Sequence, residues 1–183
     1  MRIVGGKYRS LKINWPEDNI HIRPTKDRIR ESIFSIINKD IDNSYVLDLY
    51  SGSGSMGLEA LSRGAKFSCF VDNNNVAIKT TKENIAHLKI KEDEYLFLAM
   101  SDLEALTYLS NHQYKFNIVF LDPPYKEGKY EEVINLLLEK SLLYPNSVIV
   151  IECNRSVDIN ENIYIKRKDY KYGKVQVIVL RLK

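Results

Sequence analysis

One stretch decides the fold of this chain: DLYSGSGSMG, which occupies residues 48–57. The apolar run that leads into it, residues 45–50, predicts a strand buried on both faces. Gly52 and Gly54 allow the backbone to turn tightly and to approach a ligand closely, because glycine has no Cβ atom. A glycine-rich turn between a strand and a helix is typical of nucleotide-binding α/β sheets, although this spacing alone also fits a dinucleotide-binding turn.

The chain on both sides of this turn alternates short apolar runs with helical patterns. The predicted strands cover residues 45–50, 67–72, 95–99, 116–122 and 147–152, and the predicted helices cover residues 25–39, 55–64, 74–89, 102–111 and 129–141. This alternation predicts an α/β fold with a mostly parallel sheet and helices on both faces. Residues 1–14 predict a small N-terminal β-hairpin, and residues 163–182 predict a C-terminal hairpin that adds two antiparallel strands.

Length and composition predict one globular unit with a short extension. The chain has 183 residues and is 44% hydrophobic, which is ordinary for a protein with a core. We divide it into an N-terminal hairpin and linker, residues 1–24, and a main domain, residues 25–183. It shows no apolar run of about 18 residues and no signal-peptide pattern, so we expect no membrane association. Two cysteines in unrelated contexts and scattered histidines predict a cytoplasmic protein without a metal, and we expect a monomer.

Charge is distributed unevenly along the chain. Residues 1–30 hold eight Lys or Arg against three Asp or Glu, residues 31–154 hold eleven against eighteen, and residues 155–183 hold eight against three. Two basic ends around an acidic middle fit a polyanion-binding rim around a site with its own carboxylates, although two solvated surface segments would give the same counts. Five side chains are candidate contacts to nucleic-acid phosphates: Lys7, Arg9, Arg23, Arg28 and Arg30.

Carboxylates after three predicted strands indicate the cofactor. Asp48 would repel a pyrophosphate, which prefers a helix N-terminus without a nearby anion, but it suits the ammonium group of S-adenosylmethionine. Asp72 is placed to accept hydrogen bonds from ribose hydroxyls, and Asp102 from an adenine amino group. Each has an alternative structural role, Asp48 as a turn cap and the other two as helix N-caps. The predicted cofactor site consists of Asp48, Ser51, Gly52, Gly54, Gly57, Asp72 and Asp102.

The sequence Asp122-Pro123-Pro124-Tyr125 ends the fourth predicted strand and indicates the chemistry. Two prolines remove two N–H donors, which leaves a carboxylate, carbonyl acceptors and an aromatic face, unless the segment is merely a stiffened loop. Asp122 and the Pro123 carbonyl can each accept one N–H of a nucleobase amine while that amine gains positive charge. Tyr125 can stack on a base that has left its helix. We therefore predict that all four residues are catalytic in methylation of a base amine.

Five segments, taken in order along the whole chain, resemble the RsmD-type methyltransferases, which modify guanine N2 in bacterial small-subunit ribosomal RNA. They are residues 2–6 (RIVGG), 23–31, 48–57, 58–64 (LEALSRG) and 122–125 (DPPY). The resemblance implies a seven-stranded Rossmann-like methyltransferase domain over residues 25–183, preceded by a small N-terminal β-hairpin. It also implies S-adenosylmethionine as cofactor and the exocyclic N2 of a guanine in small-subunit (16S) ribosomal RNA as the methyl acceptor. Tyr50 and Met56 replace the usual Phe and Leu of the glycine turn, and these changes remove no group that the chemistry needs.

Three other functions compete with this interpretation. An amino-methyltransferase acting on adenine N6 or cytosine N4 of DNA usually carries a recognition module of about 100 residues, for which this chain has no room. A nicotinamide-dependent oxidoreductase would use the glycine turn but gives residues 122–125 no role. A non-catalytic RNA-binding factor would not need Asp122. Because so little surface is left for sequence discrimination, we expect the RNA target to lie in an assembled or assembling small subunit.

Overall fold

A seven-stranded sheet forms the centre of the computed structural model, which describes residues 1–16, 27–123 and 129–183. The strands are β1 Tyr45–Leu49, β2 Phe67–Asp72, β3 Tyr95–Ala99, β4 Phe116–Leu121, β5 Leu143–Cys153, β6 Tyr164–Tyr172 and β7 Val175–Leu182. They lie in the order β3-β2-β1-β4-β5-β7-β6. Neighbours are parallel except at β7, which runs antiparallel to both β5 and β6. The predicted mostly parallel sheet with a C-terminal antiparallel hairpin is therefore confirmed.

Helices cover both faces of this sheet. Within the described ranges they are α1 Asp27–Ile36, α2 Asn38–Ile41, α3 Ser55–Ser62, α4 Asn75–His87, α5 Asp102–Asn111 and α6 Tyr130–Glu139. One hydrophobic core joins α5 and α6 to one face of the sheet. A second core joins α1, α2, α3 and α4 to the other face. The central strands are apolar at successive positions because both of their faces are buried in this way.

Two elements differ from their sequence predictions. The predicted helix over residues 25–39 is split, because the backbone at Ile37, with φ −99° and ψ 13°, leaves the helical region between α1 and α2. β5 begins at Leu143 instead of residue 147. Pro145 and Asn146 look like turn residues in the sequence, but the ladder between β4 and β5 continues past them through an irregular register.

The N-terminal segment folds back on itself and packs on α3. One antiparallel bridge, between Arg2 and Lys12, joins its two arms within the described residues, so the predicted hairpin forms as a bridge instead of two strands. Gly6 has φ +75°, and a Cβ atom there would lie 1.8 Å from the carbonyl oxygen of Ser62. Two isoleucines of the segment are buried in the core that also holds α1 and α3. The predicted domain boundary itself lies outside the described residues.

The two cysteines, Cys69 and Cys153, are free and buried, as expected of small apolar side chains. In the part of the chain that the structure describes, no helix has both the length and the apolar character needed to cross a bilayer. The same residues contain no cluster of His, Cys, Asp and Glu arranged to hold a metal ion.

Candidate active site

Four carboxylates lie along the edge of the sheet at which the parallel strands end. Asp72 is the last residue of β2, Asp122 directly follows β4, and Glu152 is the penultimate residue of β5. Asp48 is the penultimate residue of β1 and pairs across to both β2 and β4. Because side chains alternate between the two faces of a sheet, this register directs all four carboxylates to the same face. We call this group the carboxylate row.

Burial and mutual repulsion change the ionisation of the carboxylate row. Burial raises the pKa of Asp48 to about 7, with a further increase from the Asp72 carboxylate and an opposing effect of the Gly57 N–H. Burial likewise raises the pKa of Asp122 well above its ordinary value, and the carboxylates of Glu152 and Asp48 raise it further. A positive charge among these groups would stabilise their ionised forms. The row therefore favours a cationic ligand.

Two members of the carboxylate row also fix the glycine turn. Asp48 Oδ2 accepts the N–H of Gly57 at 2.9 Å, in the first turn of α3. Asp72 Oδ2 accepts the N–H of Gly52 at 2.8 Å, and its Oδ1 accepts that of Asn74 at 2.9 Å. Asp48 thus has the turn-capping contact named as its alternative role. Asp72 does not cap α4, because Asn74 is the N-cap of that helix.

Helix α4 holds the glycine turn from the side. Thr81 Oγ1 donates to the carbonyl of Gly52 at 2.8 Å, and Asn84 Nδ2 donates to the carbonyl of Ser53 at 2.9 Å. Gly54 has φ +76°, and a Cβ atom at this position would lie 2.9 Å from the Thr81 methyl group. Gly54 is therefore required both by its backbone conformation and by the space that α4 leaves.

Asp102 lies beside the turn, where it meets Tyr50. The Tyr50 hydroxyl donates to Asp102 Oδ2 at 2.7 Å. Tyr50 follows β1 and has φ +69°, a left-handed conformation at the point where the chain leaves the sheet. Ser101, not Asp102, is the N-cap of α5, since its side chain accepts the N–H of Glu104. The alternative N-cap role of Asp102 is therefore wrong, and its carboxylate joins the end of β1 to the start of α5.

Four residues of this arrangement were not selected from the sequence: Tyr50, Thr81, Asn84 and Glu152. Glu152 ends a predicted strand, as Asp72 does, so the rule that selected the other strand-end carboxylates applies to it equally. Thr81 and Asn84 carry no such signal. They are ordinary polar residues in a helix, and their contacts depend on how α4 packs against the turn.

Of the predicted catalytic residues, the structure describes Asp122 and Pro123. Asp122 is a member of the carboxylate row, and Pro123 is buried directly after it. Pro124 and Tyr125 lie outside the described residues, so their roles stay predictions.

The predicted RNA contact Lys7 lies at the opposite edge of the sheet from the carboxylate row. Its backbone N–H donates to the carbonyl of Ser62 at 2.7 Å, at the far end of α3 from the glycine turn. Its Nζ donates to Glu94 Oε1 at 3.0 Å, just before β3 begins. Arg9 is exposed in the same turn of the N-terminal segment. Lys7 is thus far from the strand ends, where we expected phosphate contacts beside the cofactor.

Arg30 requires a correction. Its side chain is 0% exposed, and the guanidinium donates to Glu59 Oε2 at 3.3 Å and to Asp27 Oδ1 at 2.9 Å. A guanidinium buried in such a network holds α1 against α3 and does not present itself to an RNA phosphate. Arg28 is exposed in the first turn of α1. Arg23 lies outside the described residues.

Comparison with known proteins agrees with this arrangement. Residues 1–181 match the family model described as "Conserved hypothetical protein 95". The "Putative rRNA methyltransferase YlbH" of Bacillus subtilis is 36% identical, over 99% of this chain and 98% of its own length. The "Ribosomal RNA small subunit methyltransferase D" of Escherichia coli is 35% identical, over 83% of this chain and 74% of its own. A solved structure, "Putative methyltransferase yhhF from Escherichia coli", superposes with a TM-score of 0.85 at 30% identity and covers 100% of this chain and 98% of that one. The chain therefore belongs to the Conserved hypothetical protein 95 family, the family of the small-subunit ribosomal RNA methyltransferases D, as its sequence motifs predicted.

Proposed function

We propose that this protein transfers a methyl group from S-adenosylmethionine to the exocyclic N2 of a guanine in small-subunit ribosomal RNA. The observation that carries the proposal is the carboxylate row, in which Asp122 and Glu152 end adjacent strands beside a cation-favouring cofactor turn. Ribosomal RNA methylation with S-adenosylmethionine is the activity of the family to which the chain belongs. The choice of base and of atom is the step that we add.

The residues at the glycine turn fit S-adenosylmethionine. The hydroxyl oxygens of Ser51 and Ser53 are buried and have no hydrogen-bond partner among the described residues, so the turn offers polar groups for a ligand. The cofactor supplies a methyl group on a positively charged sulfur. Asp48 balances the charge of its ammonium group, and Asp72 accepts hydrogen bonds from its ribose hydroxyls. Asp102, oriented by the Tyr50 hydroxyl, accepts a hydrogen bond from the adenine amine.

Asp122 prepares the acceptor amine. The lone pair of an amine on a nucleobase is delocalised into the ring, so the amine is a poor nucleophile. The Asp122 carboxylate and the Pro123 carbonyl each accept one N–H, and these bonds strengthen as the nitrogen gains positive charge. The raised pKa of Asp122 also makes it a better base for the proton that the amine finally gives up.

The position of Asp122 beside Glu152 favours guanine over other bases. Leu121 pairs with Ile151, so the next residues along the two strands, Asp122 and Glu152, are neighbours. Guanine presents two adjacent donors, the ring N1–H and the N2 amine, whereas adenine and cytosine present their amine beside an unprotonated ring nitrogen. When a cationic cofactor keeps both groups ionised, two adjacent carboxylates accept both guanine donors and repel the lone pair of the other two bases.

The alternative of a DNA amino-methyltransferase is less well supported. Two relatives of this chain whose names state a specific activity are small-subunit ribosomal RNA methyltransferases. A nicotinamide-dependent oxidoreductase is disfavoured as well, because the carboxylate row would lie close to a pyrophosphate at the glycine turn.

The substrate class can be tested with labelled S-adenosylmethionine. The purified protein is incubated with small-subunit particles from cells that lack it, with a short naked RNA of the same sequence, and with duplex DNA. We expect label in the particle, less in the short RNA and none in the DNA, because folded RNA must supply the discrimination that the small surface cannot. Label in DNA, or equal rates on the particle and the short RNA, would contradict this expectation.

A further inference from the structure

A basic cleft opens at the same edge of the sheet as the carboxylate row, beyond β5. Its volume is about 540 Å³. We call it the basic cleft because three of its polar lining residues are cations. The polar lining residues are Asn154, Arg155, Ser156, Lys171, Lys174 and Gln176. The first three directly follow β5, and the others come from the hairpin of β6 and β7. Cys153 at the end of β5 pairs with Gln176, which in turn pairs with Lys171. The cleft therefore begins two residues after Glu152.

The sign of charge reverses along this edge. In strand order, β2, β1, β4 and β5 contribute the carboxylate row to one face of the sheet. Beyond them, the loop after β5 and the β6–β7 hairpin contribute three exposed cations of the basic cleft, Arg155, Lys171 and Lys174. Lys171 projects to the opposite face at the same edge, because its partner Gln176 pairs with Cys153 and not with Glu152. The lining of the cleft contains no carboxylate among the described residues. A polyanion that delivers a base to four carboxylates meets repulsion there, and cations next to the site would offset it.

The nearest acidic side chain on the hairpin does not cancel this charge. Asp169 is held by Arg167 through two hydrogen bonds of 2.8 Å each, and Gln176 donates to it at 3.0 Å. Arg167 accordingly lowers the pKa of Asp169. Arg167 and Asp169 together are close to neutral, so Asp169 does not neutralise the two exposed lysines, Lys171 and Lys174.

The cleft is also connected to the amine site. Tyr130, the first residue of α6, donates its hydroxyl to the backbone carbonyl of Glu152 at 3.4 Å. Burial raises the pKa of the Tyr130 hydroxyl to about 12, with a further increase from the Asp122 carboxylate and an opposing effect of the Arg155 guanidinium. A two-residue turn at Gly173, with φ +64°, fixes the hairpin that carries the lysines.

We infer that the basic cleft binds the ribose–phosphate backbone of the RNA strand whose base enters the carboxylate row. The three cations pair with phosphate oxygens, and Asn154, Ser156 and Gln176 offer hydrogen-bonding groups to phosphate and to ribose hydroxyls. This inference rests on the proposed function for the identity of the strand, but the binding itself can be measured without catalysis.

The test compares two double variants that remove equal charge. Lys171→Gln/Lys174→Gln changes the basic cleft, and Lys66→Gln/Lys115→Gln changes two exposed lysines at the opposite edge of the sheet. Filter binding to small-subunit particles is measured over a salt series. We expect the cleft variant to bind about tenfold more weakly or worse. Its log–log salt slope should be smaller by about 0.7–0.9 for each lost phosphate contact. Cofactor affinity and the rate at saturating particle should stay near wild type, and Lys171→Arg/Lys174→Arg should restore the slope.

The outcomes separate the two proposals. If the cleft variant keeps the wild-type slope, or if both double variants change it equally, the basic cleft is not a phosphate site. If wild type transfers no methyl group to the particle while the cleft variant still loses slope, the proposed function fails and the RNA-binding cleft stands.

Discussion

The sheet edge that carries the carboxylate row has two halves, and they are built on different principles. In the half that we propose to bind the cofactor, called the cofactor half, the carboxylates of Asp48, Asp72 and Asp102 lie at or just after the ends of β1, β2 and β3. They are engaged with backbone N–H groups or with the Tyr50 hydroxyl. In the amine half, at β4 and β5, Asp122 faces another carboxylate, Glu152, and the repulsion adds to the effect of burial in raising its pKa. The first half has a shape that these hydrogen bonds fix. The second is an electrostatic pair whose state depends on what binds, which suits a site that must respond to developing charge.

The largest expected effect is the loss of cofactor binding when the glycine turn of the cofactor half is changed. Gly54→Val should abolish measurable S-adenosylmethionine binding by calorimetry, because the side chain would collide with Thr81 and distort the turn. Gly173→Val is the matched control. That glycine also has a positive φ, of +64°, but a Cβ atom added to it would meet nothing within 4 Å. Equal binding by both variants would show that the turn does not hold the cofactor.

The second-largest expected effect is a loss of methylation rate without a loss of cofactor affinity, which distinguishes the amine half, at β4 and β5, from the cofactor half. Asp122→Ala should reduce the single-turnover methylation rate by about 10²-fold or more, the scale of lost transition-state hydrogen bonds. Cofactor affinity should stay near wild type, because Asp122 belongs to the amine half. Asp122→Asn should retain part of the rate, since its amide oxygen still accepts one hydrogen bond. A wild-type rate for Asp122→Ala would show that the amine site is misplaced.

A smaller effect is expected at the end of β2. Asp72→Ala should weaken cofactor binding by about 1–3 kcal/mol, the scale of hydrogen bonds to a charged group. Part of this loss comes from freeing the Gly52 N–H that Asp72 now holds. Calorimetric titration measures the change, and unchanged affinity would limit Asp72 to a structural role.

The smallest effect concerns pH. The pKa of Asp48 rises from 3.8 to about 7 in the folded protein, so the folded state binds more protons than the unfolded state between these values. The free energy of unfolding should therefore fall as pH rises from about 4 to 7. Asp48→Asn should make the ligand-free protein more stable than wild type at pH 8, by about 1–3 kcal/mol in denaturant titrations.

Cofactor affinity should respond to pH in the opposite sense. A cationic ligand prefers the ionised Asp48, so affinity should be lower at pH 6 than at pH 8 in wild type. In Asp48→Asn this dependence should become flatter. A stability profile that rises from pH 4 to 7, or equal pH dependence in both proteins, would contradict the assignment.

The difference between the two halves also explains what could be predicted from the sequence. The glycine turn and the carboxylates at strand ends are local patterns, so the position of these residues at one edge of the sheet could be predicted from residue types and spacing. The same rule applies to Glu152, which also ends a predicted strand, but its position beside Asp122 appears only once the strand order is known. Lys7 and Arg30 show the same limit, because charge counts do not reveal which edge a side chain occupies or whether it is buried.

The basic cleft required the topology as well. Its lysines are distant in sequence from Asn154 and Arg155, and β6 and β7 bring them together. Residue counts reveal a basic C-terminal segment, but only the antiparallel order of the last strands places it next to β5.

The central claim is that the amine half selects guanine N2, and the product base tests it most directly. Small-subunit particles from cells lacking this protein are treated with wild-type enzyme and labelled S-adenosylmethionine, and the modified nucleoside is identified by mass spectrometry after digestion of the RNA. We predict a single labelled nucleoside, N2-methylguanosine, whose formation is strongly reduced with Asp122→Ala. Label on an adenine or cytosine amine, or on a ring atom of any base, would contradict the account.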